Sequence, residues 1–115
     1  VRELFKDILN TEGVRGLMVF TFSGEPLYQE FNQTRADGIQ IGDWRMFIES
    51  LAGIRETDLI FSKGRLYIRR TEIGYLVIWM GLFVPIAMLQ LQCDILLPEL
   101  KPAKAAKGVR RLFKK

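Results

Sequence analysis

Residues 73–93 read IGYLVIWMGLFVPIAMLQLQC, 21 consecutive positions without a charged side chain. No other stretch limits the fold as sharply, because about 20 apolar residues are what a helix needs to cross a bilayer. Two residues inside the run argue against a span. Gly81 interrupts it, and Pro85 lacks the N–H of a continuing helix but suits a first helical position. Before the break, Tyr75, Val77 and Trp79 alternate with Leu76, Ile78 and Met80, the period of a strand. After it, Ile86, Leu89, Cys93, Leu96, Leu97 and Leu100 fall on one helical face, with Gln90, Gln92 and Asp94 on the remainder. The run is predicted to be a buried strand followed by a buried helix.

The same test of period organises the rest of the chain. Val1, Leu4, Phe5, Ile8 and Leu9 recur at helical spacing and predict an amphipathic helix ended by Gly13. Residues 14–22 (VRGLMVFTF) are apolar in both alternating sets and predict a strand buried on both faces. Ser23–Pro26 supplies a turn, and residues 27–32 a second strand with Leu27, Gln29 and Phe31 on one face. Residues 33–43 read as a loop whose last residue, Asp43, suits a helix N-cap. The helix that follows has two apolar stripes, one of Trp44, Phe47, Ile48 and Leu51, the other of Met46, Ser50 and Gly53–Ile54. Residues 58–62, 65–71 and 75–80, joined by turns at Lys63–Gly64 and Glu72–Gly74, predict a three-stranded meander. The expected fold is α+β, in the order α-β-β-α-β-β-β-α, with helices packed on a five-stranded, mostly antiparallel sheet. The chain is expected to be one domain over residues 1–100 with a tail over 101–115.

Charge sets that tail apart. The formal net charge is +4, yet residues 101–115 hold seven of the 17 basic side chains and no acid. Ten basic residues then face 13 acidic ones, so the body carries about −3. A basic pI that belongs to a tail argues against a nucleic-acid-binding domain. Within AKAAKGVRRLFKK, Ala105, Val109, Leu112 and Phe113 line one side of a would-be helix. Lys104, Lys107, Arg110, Arg111, Lys114 and Lys115 surround them. This pattern fits contact with an anionic membrane or a partner through Phe113 and the basic residues; a solvated, solubilising tail is the competing reading.

Classical catalysis has few parts to use here. The chain has no histidine, so histidine acid–base chemistry and histidine metal ligation are excluded. Cys93 is the single cysteine, too few for an intramolecular disulfide or an ordinary zinc ligand set, and a lone thiol fits a reducing compartment. No phosphate-binding G-x-x-x-x-G-K-[ST] loop occurs. The carboxylates Glu25, Glu30, Asp37, Asp43, Glu49, Glu56, Asp58 and Glu72 sit at predicted turns, caps and polar faces, where capping and solvation account for them. No catalytic residue, cofactor or metal is expected. Arg65, Tyr67 and Arg69 share one face of the fourth strand, either as a basic–aromatic contact surface or as a solvated face covered by arginine stems.

This order of elements, with ILNTEGVRGLMVFTFSGEPLYQ (8–29), DWRMFIESLAGI (43–54) and LIFSKGRLYIRRTEIGYLVIWM (59–80), resembles the roadblock/dynein light chain family of the longin-like superfamily. The Glu12-Gly13-Val14 entry into the first strand and the Ser23-Gly24 turn after it carry most of the likeness. The resemblance implies two helices on one face of the sheet and one on the other. It implies a dimer in which the middle helices lie side by side and the third strands join into one sheet. Met46, Phe47, Ser50, Ile54, Leu59 and Phe61 are the candidate interface residues, with packing of Met46 and Ile54 beneath a loop as the alternative. An apolar edge strand gives an independent motive for pairing. The implied function is that of a non-catalytic homodimeric adaptor, cytoplasmic or peripheral to the inner face of a membrane, that binds and regulates a small Ras-like GTPase. The rival is a structural subunit of a larger complex. No arginine finger is singled out among Arg35, Arg45 and Arg55.

Overall fold

The computed structural model describes residues 5–32, 44–62 and 64–100. The elements run α1 (Lys6–Leu9), β1 (Val14–Phe20), β2 (Pro26–Phe31), α2 (Trp44–Leu51), β3 (Glu56–Phe61), β4 (Gly64–Arg70), β5 (Tyr75–Met80) and α3 (Ile86–Leu96), which passes into a 3₁₀ turn over Leu97–Glu99. All strands join one antiparallel sheet in the order β2-β1-β5-β4-β3. The two most apolar strands, β1 and β5, therefore lie at or beside the centre, and β2 and β3 form the edges.

Each face of the sheet collects its own core. On one, Leu17, Val19, Tyr28, Tyr67, Leu76, Ile78 and Met80 pack against Phe5, Ile8 and Leu9 at α1 and Leu89, Cys93 and Leu96 on α3. On the other, Met18, Phe20, Leu66, Ile68, Val77 and Trp79 pack against Ile48 and Leu51 of α2, flanked by Trp44 and Phe47. Trp44 stacks on Phe20 with ring centroids 4.8 Å apart. This is the two-plus-one helix arrangement the resemblance implies. The uncharged run divides at the expected corner: β5 stops at Met80, the Gly81 N–H donates to the Gly13 carbonyl (2.9 Å), and a new helix begins. Among the described residues no helix is long and apolar enough to cross a membrane.

Several boundaries shift. Pro85 is the N-cap of α3, with ψ of 116°, one residue before the first helical position expected for it. Residues 21 and 22 leave β1 because the Thr21 N–H donates to the Glu25 carbonyl and turns the chain. Gly64 pairs opposite Phe61, so it belongs to β4 rather than to the turn expected at Lys63–Gly64. The described part of the first helix is a single turn. The 33–43 loop, the Asp43 cap and the 101–115 tail lie outside the described residues.

Candidate functional site

The edge strand β3 and the helix α2 form the surface that the candidate interface residues occupy. Among the described residues β3 pairs only with β4, which leaves its outward N–H and C=O groups without a strand. Its two acids are engaged across the sheet: Asp58 accepts two hydrogen bonds from Arg65, the shorter 2.6 Å, and Glu56 accepts from Tyr67 and from Gln90 (2.7 Å). The other end of the strand is apolar and open, with Ile60 66 % and Phe61 39 % exposed. Leu59 is half-buried against the α2 core. On α2, Phe47 is half-buried against Trp44, while Met46 (67 % exposed) and Ser50 lie one turn apart on the outer flank. The Ser50 hydroxyl donates to the Phe47 carbonyl of its own helix (2.6 Å). Ile54, 44 % exposed, follows the helix end, where the Gly53 N–H donates to the Tyr75 hydroxyl (3.0 Å). Met46, Ser50, Ile54 and Phe61 are thus at the surface. Phe47 and Leu59 divide their area between core and surface. Ile60 was missed by a reading of alternation, although of three successive apolar residues, Leu59-Ile60-Phe61, the middle one must face opposite to the other two.

The other expected surface is rearranged. Tyr67, predicted as the aromatic centre of a contact face, is buried under α3. Its hydroxyl donates to Glu56 and accepts from Arg69 (3.1 Å), and Arg69 reaches on to Asp94 of α3 (2.7 Å). The side chains that read as an open basic–aromatic strip are therefore a polar tie from the edge strand through β4 to α3. Arg65 also donates to the Leu82 carbonyl (3.0 Å), bracing the β5–α3 turn. Burial, then the Glu56 carboxylate, pushes the Tyr67 phenol well above its ordinary value. The Tyr67 and Gln90 hydrogen bonds hold Glu56 below the usual carboxylate range. Burial works against the Arg69 charge, but Asp94 and Tyr67 outweigh it, and the guanidinium stays protonated. Sequence reasoning missed this network because Glu56, Gln90 and Asp94 come from elements distant along the chain. An open groove of about 760 Å³ lies beside it and brings Arg55, Arg69 and Arg70 together with Glu72 and Asp94. Lys104, Lys107, Arg110, Arg111, Phe113, Lys114 and Lys115 lie outside the described residues.

Cys93 is buried, and desolvation pushes its thiol up to about 12, so it is neutral at physiological pH. Among the described residues no group of three or more Cys, Asp or Glu side chains is placed to hold a metal ion.

No family model matches the chain, and no curated protein does. Solved structures do match over nearly the whole fold. A structure described as MglB with tetrameric arrangement superposes with a TM-score of 0.64 over 93 % of this chain and 88 % of that one, at 14 % identity. The gliding protein MglB from Thermus thermophilus gives 0.60 over 85 % and 83 %, at 15 % identity. The fold is the roadblock fold. Its order of elements is that expected from the sequence, and its helix placement is that implied by the resemblance.

Proposed function

We propose that this chain is a non-catalytic adaptor that pairs with a second copy of itself through α2 and β3 and, as a dimer, binds and regulates a small Ras-like GTPase. The observation that carries the reading is a strand edge that no other described strand pairs, with exposed apolar residues, Ile60 and Phe61, in a fold whose α2 also exposes Met46. A bare edge with apolar side chains is a pairing template, and a two-fold related copy satisfies both at once. The likeness to MglB supports assembly, since one such structure is a tetrameric arrangement. Regulation of a GTPase needs no catalytic group on the adaptor: a rigid sheet-and-helix platform that binds one nucleotide state more tightly shifts the partner toward that state.

Two measurements test this. Sedimentation analysis is expected to show a dimer for the native chain and a folded monomer for the Met46→Glu, Phe61→Glu double variant; a native monomer at high concentration defeats the pairing. Calorimetric titration with a Ras-like GTPase loaded with GDP or with a GTP analogue is expected to give unequal affinities. Equal affinities would leave a structural subunit and remove the regulatory role.

A further inference from the structure

Arg65 and Arg69 on β4 are each neutralised by a carboxylate, Arg65 by Asp58 (2.6 Å) and Arg69 by Asp94 (2.7 Å). Arg55 and Arg70 are not. They stand opposite each other one step beyond the last ladder pair, Glu56–Arg69, where the Arg70 N–H donates to the Arg55 carbonyl (2.9 Å). Neither guanidinium forms an ion pair with a described residue. Residues directly opposite in an antiparallel pair have Cβ atoms about 4.5–5.5 Å apart, and like charges so placed repel. The fold therefore keeps a repulsion here that carboxylates remove at Arg65 and Arg69, and an anion seated between the two cations would remove it.

The pair is also oriented to receive one. The Arg70 guanidinium lies over the Phe22 ring, 4.8 Å from its centroid, which fixes the plane of its N–H fork. Gly53 beside it has no side chain to cover that fork: a Cβ there would lie 3.6 Å from Arg70 Nη1. A planar fork of this kind matches a carboxylate or a phosphate.

Shape and charge decide between those anions. Arg55 and Arg70 line the open groove of about 760 Å³ that also carries Thr71, Glu72 and Leu97–Pro98. A second opening, of about 550 Å³, shares Arg55 with it and runs on to Gln90. Together they form a trough with room for several residues of extended chain, whereas a single phosphate would fill one end. Glu72 is exposed in the same trough, where it repels the closely spaced charges of a nucleic-acid backbone. A peptide carrying one or two carboxylates keeps clear of Glu72 and can rest an apolar side chain on Leu97 and Pro98.

We infer that this trough binds a short extended peptide segment with an acidic side chain clamped between Arg55 and Arg70. Arg69 takes no part, because Tyr67 and Asp94 already hold it. The clamp lies at the opposite end of β3 from Ile60 and Phe61, so it goes beyond the adaptor reading and does not depend on pairing.

The test follows the amide signals of the full chain during titration with the blocked peptide acetyl-GLEEG-amide and its uncharged match, acetyl-GLQQG-amide. At about 5 mM the acidic peptide is expected to shift residues 53–55 and 69–72, with the uncharged one at least about tenfold weaker. Arg55→Gln, an exposed change, is expected to weaken the acidic peptide about fivefold, and adding Arg70→Gln to abolish its binding. Because Arg55→Gln also relieves the facing charges, its urea midpoint is expected to stay level or rise, so that lost affinity is lost binding. A lower midpoint would make Arg55 a structural contact and overturn the inference. It is overturned as well by equal binding of the two peptides, by shifts that avoid these residues or persist in the double variant, or by inorganic phosphate acting at the same concentration as the acidic peptide.

Discussion

Tyr67 shows how one side chain reverses the meaning of its neighbours. Flanked by Arg65 and Arg69 it reads as a surface for a partner; buried beneath α3 it holds Glu56 and Arg69 in place instead. A phenol with no partner would be costly there, so its bonds offset the loss of water from the hydroxyl beneath α3. Tyr67→Phe keeps the ring and removes both bonds, and is expected to cost about 1–2 kcal/mol in urea unfolding. It should also let the Glu56 carboxyl rise toward its ordinary 4.5 in an NMR titration, because the Tyr67 bond is the leading cause of its depression. The sign of the pH effect follows from that depression. Glu56 contributes its full stabilisation above about 4.5, its unfolded value, and loses it as pH falls through the lower folded value. Since Glu56 is exposed, solvent screening keeps the effect to roughly a few tenths of a kcal/mol. Glu56→Gln should flatten the acid limb of the stability curve by that amount and leave the curve above pH about 5 parallel to the native one. Gln90 and Asp94 are far from Tyr67 in sequence, so their polar chemistry is readable in advance but their place beside it is not.

At the scale of elements, the strands were legible as short β-branched and aromatic runs of period two or apolar on both faces, and the turns because Gly has a specific job. The β4–β5 turn is a case. The buried Thr71 hydroxyl accepts from the Ile73 and Gly74 N–H groups, and Gly74 runs at φ 152° hard against the Phe20 carbonyl of β1. A side chain at this position meets both an unfavourable backbone conformation and that carbonyl. Gly74→Ala is therefore expected to destabilise by roughly 2–4 kcal/mol, read as a lower urea midpoint with an unchanged slope. A loss below about half a kcal/mol would show that β1 can yield at no cost. Helix α3 tells the opposite story. Its inner stripe was plain from Ile86 to Leu100, yet its outer stripe of Met88, Leu91 and Ile95 went unread, since both are apolar and spacing alone does not say which one meets the sheet.

Among the described residues, exposed apolar side chains cluster at the β3–α2 edge and on the outer side of α3, on opposite faces of the sheet. A chain that pairs through the first should be stabilised by mass action, so its thermal midpoint is expected to rise with concentration, and the Met46→Glu, Phe61→Glu variant should lose that dependence. A midpoint independent of concentration over a hundredfold range, roughly 2.7 kcal/mol of linkage, would contradict pairing. By itself the sequence determined the order of elements and the corner at Gly81–Pro85, because hydrophobic period is a local property that burial enforces wherever a face must leave water. The tertiary structure alone decided which charged residues became a polar tie and which apolar residues stayed outside. Hydrogen bonding and coverage depend on what crosses over a given strand, and that is settled by packing between elements far apart along the chain.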